Sequence, residues 1–394
     1  MELTGRLLRW GAMRPHLLLA EVPGSTGVRL AVEAYARQSE WPLALSPADA
    51  DVLVVCGRPY GALADAVDTT WRAMPEPRAR LELSTPVGLS AELARAVAEL
   101  SSVALQRDGA AHREPAAAGE QAAEQSRGDM DMSGAHAGME RDRGSGMGMS
   151  LPGGLVMADR AQDRDGLMLD VLHLRLGPVL PCWPAGLALD VVLQGDVVQE
   201  AEVVTYEVPD ASSYWLAPGA HDGALPVPAH LHRRTAARRL DAAARLLQLT
   251  GWTAGADQAR RLRDALLEPA SDRLPDAAVY ALARRVRRSR SLRWALRDLG
   301  AVPPEAADGL GRIAGDAHDR LLSWLDEAER EVRGDAAAGS PGQARRDGDD
   351  SGAALRRLLP GLVTGLDVAG ARLVVASLDL EVLPAPCPAE VARG

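Results

Sequence analysis

The chain has 394 residues, enough for two or three domains, and 44 basic against 54 acidic side chains give it a formal net charge of −10. An acidic balance of that size argues against general affinity for nucleic acid, which needs a strong basic excess. Three widely spaced cysteines (Cys56, Cys182 and Cys387) form no CxxC pair, so neither a disulfide framework nor a compact thiolate metal motif is implied, and a reducing, cytoplasmic setting fits.

The first residues, MELTGRLLRWGAMRPH, lack the apolar core of a signal peptide. Residues 16–105 then alternate between strand-like and helix-like stretches. HLLLAEV (16–22), WPLAL (41–45), DVLVVC (51–56) and ARLELS (79–84) are short apolar runs that predict strands. Between and after them, 27–38, 61–74 and 90–106 predict helices. Ser25 or Thr26 is placed to cap the first, and Pro75 and Pro77 stop the second. This alternation predicts an α/β layer fold with a mostly parallel sheet.

Residues 107–152 change character. They are rich in Ala, Gly, Glu, Asp, Arg and Met and almost free of Leu and Val, which predicts a disordered linker. Seven of the ten methionines fall between 130 and 168. Met130, Met132, Met139, Met147 and Met149, with His136, make a soft-donor set, and the two Met-x-Met pairs let two thioethers reach one ion. Copper is the metal that such a set suits. The competing readings are low-complexity drift in a Gly-rich tether and a partner-docking strip.

After an ordered segment from 153, residues 171–208 predict a small antiparallel β unit with QGDV (194–197) as its turn. Helical spacing follows over 233–252, 256–269, 276–300 and 315–332; 334–352 predicts a flexible loop, and 362–383 a helix or loop running into a strand. RRVRRSRSLRWALR (284–297) carries seven arginines, either a solvated helix face or a docking surface for an acidic partner or anionic headgroups. His221, His230 and His232 fall in a stretch that reads as a solvated loop, and DRDG (163–166) reads as a turn. GSTG (24–27) lacks the lysine and glycines of a nucleotide loop. No apolar run approaches the length of about 18 residues that a transmembrane helix needs. The absence of Lys, Asn and Phe and the single Ile313 are read as GC-rich coding bias.

DVLVVCGRPYGALADAVDTTWRAMPEPRARLEL (51–83), with its Met-Pro-Glu-Pro-Arg, resembles the small, cluster-carrying subunit of NADH:quinone oxidoreductase (complex I) and of nickel–iron hydrogenases. HLRLGPVLPCWPAGLALDVVLQGDVVQE (173–200) resembles the opening of the large subunit of the same assemblies. GDAHDRLLSWLDE (315–327) looks like that subunit's Gly-Asp-x-x-Asp-Arg helix, and VVASLDLEV (374–382) like its C-terminal Ser-Leu-Asp segment. The two halves read as fused. The resemblance implies a flavodoxin-like N-lobe (1–106) with a parallel sheet, and an α+β C-lobe (153–394) of a small antiparallel β unit and a helical bundle.

The departures matter as much. Cluster-bearing relatives place two cysteines on the loop after the first strand and another after the Met-Pro-Glu-Pro-Arg strand; here AEVPGSTG (20–27) and LELSTPVG (81–88) have none. Cys56 is the one cysteine left on this lobe, and one thiolate cannot hold a [4Fe–4S] cluster. Leu180 and Pro184 stand near where the large subunit carries histidines, and the hydrogenase Cys-x-x-Cys pairs are missing. The expectation is therefore a chain with no iron–sulfur cluster and no catalysis of its own. It would be an accessory or structural subunit of a membrane-associated assembly of the complex I type, lying at the cytoplasmic membrane face with membrane subunits among its partners. Its expected docking surfaces are AEVPGSTG, GPVLPCWPAG (177–186) and the Arg-rich helix; the resemblance implies that the corresponding loops face the small–large subunit interface and the membrane arm. Two alternatives stay open: copper binding through the Met/His tether, and a redox-active NADH–quinone oxidoreductase subunit.

Overall fold

The computed structural model describes residues 2–111, 159–162, 168–209, 211–215, 228–268, 276–307, 313–334, 354 and 356–383. After a first helix, α1 (Glu2–Gly11), three parallel strands β1 (Leu17–Glu21), β2 (Val52–Cys56) and β3 (Ala79–Leu83) form a sheet in that order. Every residue of β2 is buried, as expected of a central strand covered on both faces. The helices α2 (Thr26–Gln38), α3 (Ala62–Ala73), α4 (Leu89–Leu100) and α5 (Val103–Ala111) complete this α/β lobe. Val28 and Val32 of α2 and Leu93 of α4 share one core with Val52, Val54 and Cys56, while Leu63 and Val67 of α3 share another with Leu53 and Val55.

Two predicted elements take a different form here. WPLAL is reduced to a single bridge between Leu43 and Leu17: the Leu17 amide donates to the Pro42 carbonyl (2.9 Å) and the Ala44 amide to the Leu17 carbonyl (2.8 Å). Pro42 has no N–H to extend the ladder. The segment nonetheless flanks β1 on the side away from β2, the place a second strand takes in a flavodoxin-like order. The helix expected over 90–106 breaks at Ser101–Ser102, and in the second piece the Gln106 side-chain amide turns back to donate to the carbonyls of Arg78 (3.0 Å) and Glu99 (3.1 Å).

The C-lobe opens with an antiparallel sheet, β4 (Asp159–Gln162), β5 (Met168–Leu176), β6 (Leu187–Gln194) and β7 (Val197–Thr205), in sequence order. Gly195, at φ 63°, makes the β6–β7 turn. Helices α6 (Pro228–Leu249), α7 (Thr253–Leu267), α8 (Asp276–Arg288), α9 (Arg290–Leu296) and α10 (Ala317–Arg333) pack around Leu240, Leu247, Leu262, Leu282, Leu321 and Trp324. Residues 356–363 are helical, and α11 (Val368–Ser377) lies against the antiparallel sheet. The fold is thus an α/β N-lobe and an α+β C-lobe. None of the described helices is long and apolar enough to cross a membrane.

Three expectations in this lobe are corrected. The helix over 276–300 is two, because Ser289 ends α8 in extended backbone and its hydroxyl accepts from the Leu292 amide to cap α9. Of the helix or loop running into a strand expected over 362–383, the helix is present as α11, and coil follows it in place of the strand. Asp367 caps α11 through the Gly370 amide (2.6 Å), and Asp379, at φ 48°, turns the chain out of the helix. His230 and His232 lie on α6 rather than in a loop, and His232 Nδ1 sits 2.5 Å from Glu331 on α10. His221 and DRDG lie outside the described residues.

The lobes share side chains. Val179, Ala188, Tyr206 and Val208 of the C-lobe join the core formed by Leu18, Ala20, Leu53 and α3, while Leu30 of α2 joins the helical-bundle core.

Candidate functional site

A small cleft lies where the lobes meet. One wall comes from Leu17, Leu19 and the 43–45 segment of the N-lobe. The facing wall is the 178–185 part of GPVLPCWPAG, including Leu180, Pro181, Cys182 and Trp183. Gly177, at φ 88° and followed by a cis peptide to Pro178, opens this loop, and the Trp183 indole N–H closes it by donating to the Leu187 carbonyl (2.7 Å). The polar end holds Glu21, Arg29 and Glu33 from β1 and α2, and Arg245, Gln248 and Arg260 from α6 and α7.

The two loops that the resemblance places at a subunit interface meet here within one chain. A Cβ at Gly186 (φ 70°) would lie 2.5 Å from Cγ of Pro23 and 2.7 Å from the Tyr206 carbonyl oxygen, so only glycine allows this approach. On the same N-lobe loop, a Cβ at Gly24 would lie 3.3 Å from Ala211. Ser25 occupies the N-cap position of α2 without a side-chain capping bond, and Thr26 donates to Glu21 (2.7 Å).

Behind the polar end lies a buried ion-pair network. Arg29 bonds Glu21 (2.8 Å), Glu33 (2.6 Å) and Asp241 of α6 (2.8 Å). Arg263 of α7, with no exposed side-chain surface, bonds Glu33 (2.7 Å) and Asp241 (2.6 Å). Arg37 pairs with Asp264 at the edge. Burial by itself would raise the Glu33 carboxyl; Arg29, Arg263 and Arg260 overcome it and hold it at about 2. Asp241 is opposed by burial in the same way and is held far below the usual carboxylate range by Arg29, Arg245 and Arg263. The charged groups at the cleft are therefore tied to one another: Arg260 also bonds Gln248 (3.1 Å) and Asp257 (3.2 Å), and Arg245 bonds Asp379 (2.9 Å).

The two motifs of the C-lobe also meet. Arg320, at the end of Gly-Asp-x-x-Asp-Arg, donates to the Ser377 hydroxyl (2.8 Å) and to the carbonyls of Ile313 (3.1 Å) and Gly315 (2.8 Å). Asp379, two residues past Ser377, accepts from Arg238 (3.0 Å), Arg239 (3.2 Å) and Arg245. Asp316, His318 and Asp319 place ligand atoms within 4.8 Å of one another and could hold a metal. The two carboxylates are already the capping box of α10, with the Asp319 amide donating to Asp316 (2.9 Å) and the Asp316 amide to Asp319 (3.3 Å).

The thiols do not fit an iron–sulfur cluster. Burial raises Cys56 far above the ordinary thiol range, and burial likewise raises Cys182 on the cleft wall, whereas a cluster ligand must be a thiolate. The loops after β1 and β3 contain no cysteine. Leu180, at one expected histidine position, lines the cleft with an apolar side chain. The copper candidates Met130, Met132, His136, Met139, Met147 and Met149 lie outside the described residues. Sequence reasoning missed Arg29, Glu33, Asp241 and Arg263; the one available signal was Asp241 standing inside the apolar run Leu240–Ala244. No protein-family model and no curated protein matches the chain.

Proposed function

We propose that the chain is a non-catalytic accessory or structural component of a membrane-associated assembly of the complex I type, a fused counterpart of its small and large peripheral subunits. The observation that carries this reading is the lobe junction. There the two loops expected at the subunit interface pack on each other, and the charged side chains around them are engaged in ion pairs rather than left to bind a cofactor. The Arg320–Ser377 bond, which joins the two C-lobe motifs, adds support. The chain's own residues then hold two lobes in fixed relation and offer the outer surfaces to partners.

Affinity capture of the tagged chain from gently solubilised native membranes, after mild crosslinking, tests this. Membrane subunits of a quinone-reducing or hydrogenase-type complex should be recovered in constant proportion. Recovery of the chain alone from intact membranes would refute it.

One observation favours a second reading. The cleft has apolar walls and a polar end, the form of a small-molecule site. A redox-active subunit would use it for a quinone head group, with a cluster supplied by another chain. Titrating the purified chain with a soluble quinone, read by the fluorescence of Trp183 on the wall, decides it. Saturable quenching lost in Trp183→Leu supports that reading; none sinks it.

A further inference from the structure

The Arg-rich stretch, a corner between α8 and α9, has an unusual surface. Helix α9 is anchored by Leu292 and Leu296, both buried. Trp294 lies two positions from each, on the opposite face of the helix, and is 87% exposed. Helix α8 repeats the pattern: Leu282 and Val286 face the core, so Arg284 and Arg288 point outward. Only Ser289, in extended backbone, separates the two helices, so their outward residues follow one another closely along the chain. The nearby acids are engaged. Arg287 takes Asp326 (2.5 Å) and Glu329 (2.7 Å) from α10, and Arg297 takes Asp298 (3.2 Å). Arg284, Arg288, Arg290 and Arg293 have no acidic partner among the described residues, and all four are exposed.

We infer that this corner is a contact surface for the anionic headgroups of a lipid bilayer. A bare indole set among unpaired guanidinium groups matches the two layers of a membrane interface, with the ring at the acyl boundary and the cations at the phosphates. The formal net charge of −10 makes the rest of the chain repel the same membrane, so the corner also sets the orientation of binding. The inference rests on this surface alone and holds whether or not the chain joins a complex I-type assembly.

The test is sedimentation of the full purified chain with vesicles of phosphatidylcholine, alone or with about a third phosphatidylglycerol, at ~0.1 M salt. Binding is expected to the anionic vesicles only and to weaken as salt rises. Each arginine near an anionic surface strengthens partition about fivefold, so R284Q/R288Q/R290Q/R293Q together should abolish measurable binding. Trp294→Ala should weaken it about tenfold or more. These side chains are exposed and unpaired, so melting curves of the variants should match the parent. Quenching of the unaltered protein by brominated lipid gives an independent reading of indole insertion. Equal binding to neutral and anionic vesicles, an unaffected four-arginine variant, or no bromine quenching would overturn the inference. Preferential binding of polyglutamate or duplex DNA over vesicles would overturn it too, by assigning the corner to a protein or nucleic-acid partner.

Discussion

Replacing Asp241 by Asn should loosen the joint between the lobes. The carboxylate is 1% exposed and accepts from Arg29 (2.8 Å and 3.3 Å) and Arg263 (2.6 Å), with Arg245 3.5 Å away. An Asn at this place keeps one acceptor and turns an N–H₂ group toward guanidinium donors. Arg29 is then left with Glu21 and Glu33, and Arg263 with Glu33 and Asp264, as counter-charges. Removing one member of a buried, hydrogen-bonded charge network costs about 3–5 kcal/mol. With roughly 2–4 °C of melting temperature per kcal/mol in proteins of 150–250 residues, the expected fall is about 6–20 °C. The natural control is Asp257→Asn, which removes the half-exposed partner of Arg260 and should cost under about 1 kcal/mol. Thermal and urea unfolding followed by circular dichroism, with limited proteolysis to detect separated lobes, is the assay. If Asp241→Asn melts with the Asp257→Asn control, the network does not hold the lobes and the reasoning fails.

Other consequences follow from the same contacts. Glu33 has its carboxyl lowered from an ordinary 4.5 to about 2, so its contribution is complete above pH 4.5 and is lost as pH falls toward 2. That is about 3 kcal/mol, and acid titrations should show Glu33→Gln with a flatter stability profile across the window; equal slopes would contradict it. Gly186→Ala forces a Cβ against Pro23 and the Tyr206 carbonyl at a left-handed φ, and should cost about 2 kcal/mol or more, read by urea midpoint. Arg320→Met leaves the Ile313 carbonyl without this donor, while the Gly315 carbonyl keeps the Val302 amide (2.9 Å) and the Ser377 hydroxyl keeps the Val374 carbonyl (2.7 Å), with an expected cost of about 1–3 kcal/mol; Ser377→Ala should cost less, because Arg320 keeps its carbonyl partners.

The layered fold is legible because its strands are short apolar runs closed by Gly and Pro, and its helices keep one apolar face. What escaped has identifiable physical causes. WPLAL has strand composition, but Pro42 lacks the donor that a second ladder bond would need. VVASLDLEV suits either period; the Asp367 cap upstream and the left-handed Asp379 decide for helix then coil, and neither is visible in the apolar pattern. The junction was least accessible. Arg29 and Glu33 have the i,i+4 spacing of a solvated helix pair, and nothing local shows that Asp241, 212 positions away, completes them. The cleft is a product of the same long-range packing. The Arg-rich stretch was conspicuous in the sequence, but the division between Arg287, held by α10, and its unpaired neighbours needed the structure.

The most direct test of the central claim, a joined pair of lobes without a redox centre, is the iron content and visible spectrum of the chain purified anaerobically. The account expects no stoichiometric iron and no charge-transfer absorbance, in a protein that nonetheless unfolds with its lobes together. About four irons per chain with a broad visible band would mean that thiolates do assemble around a cluster, and would contradict it.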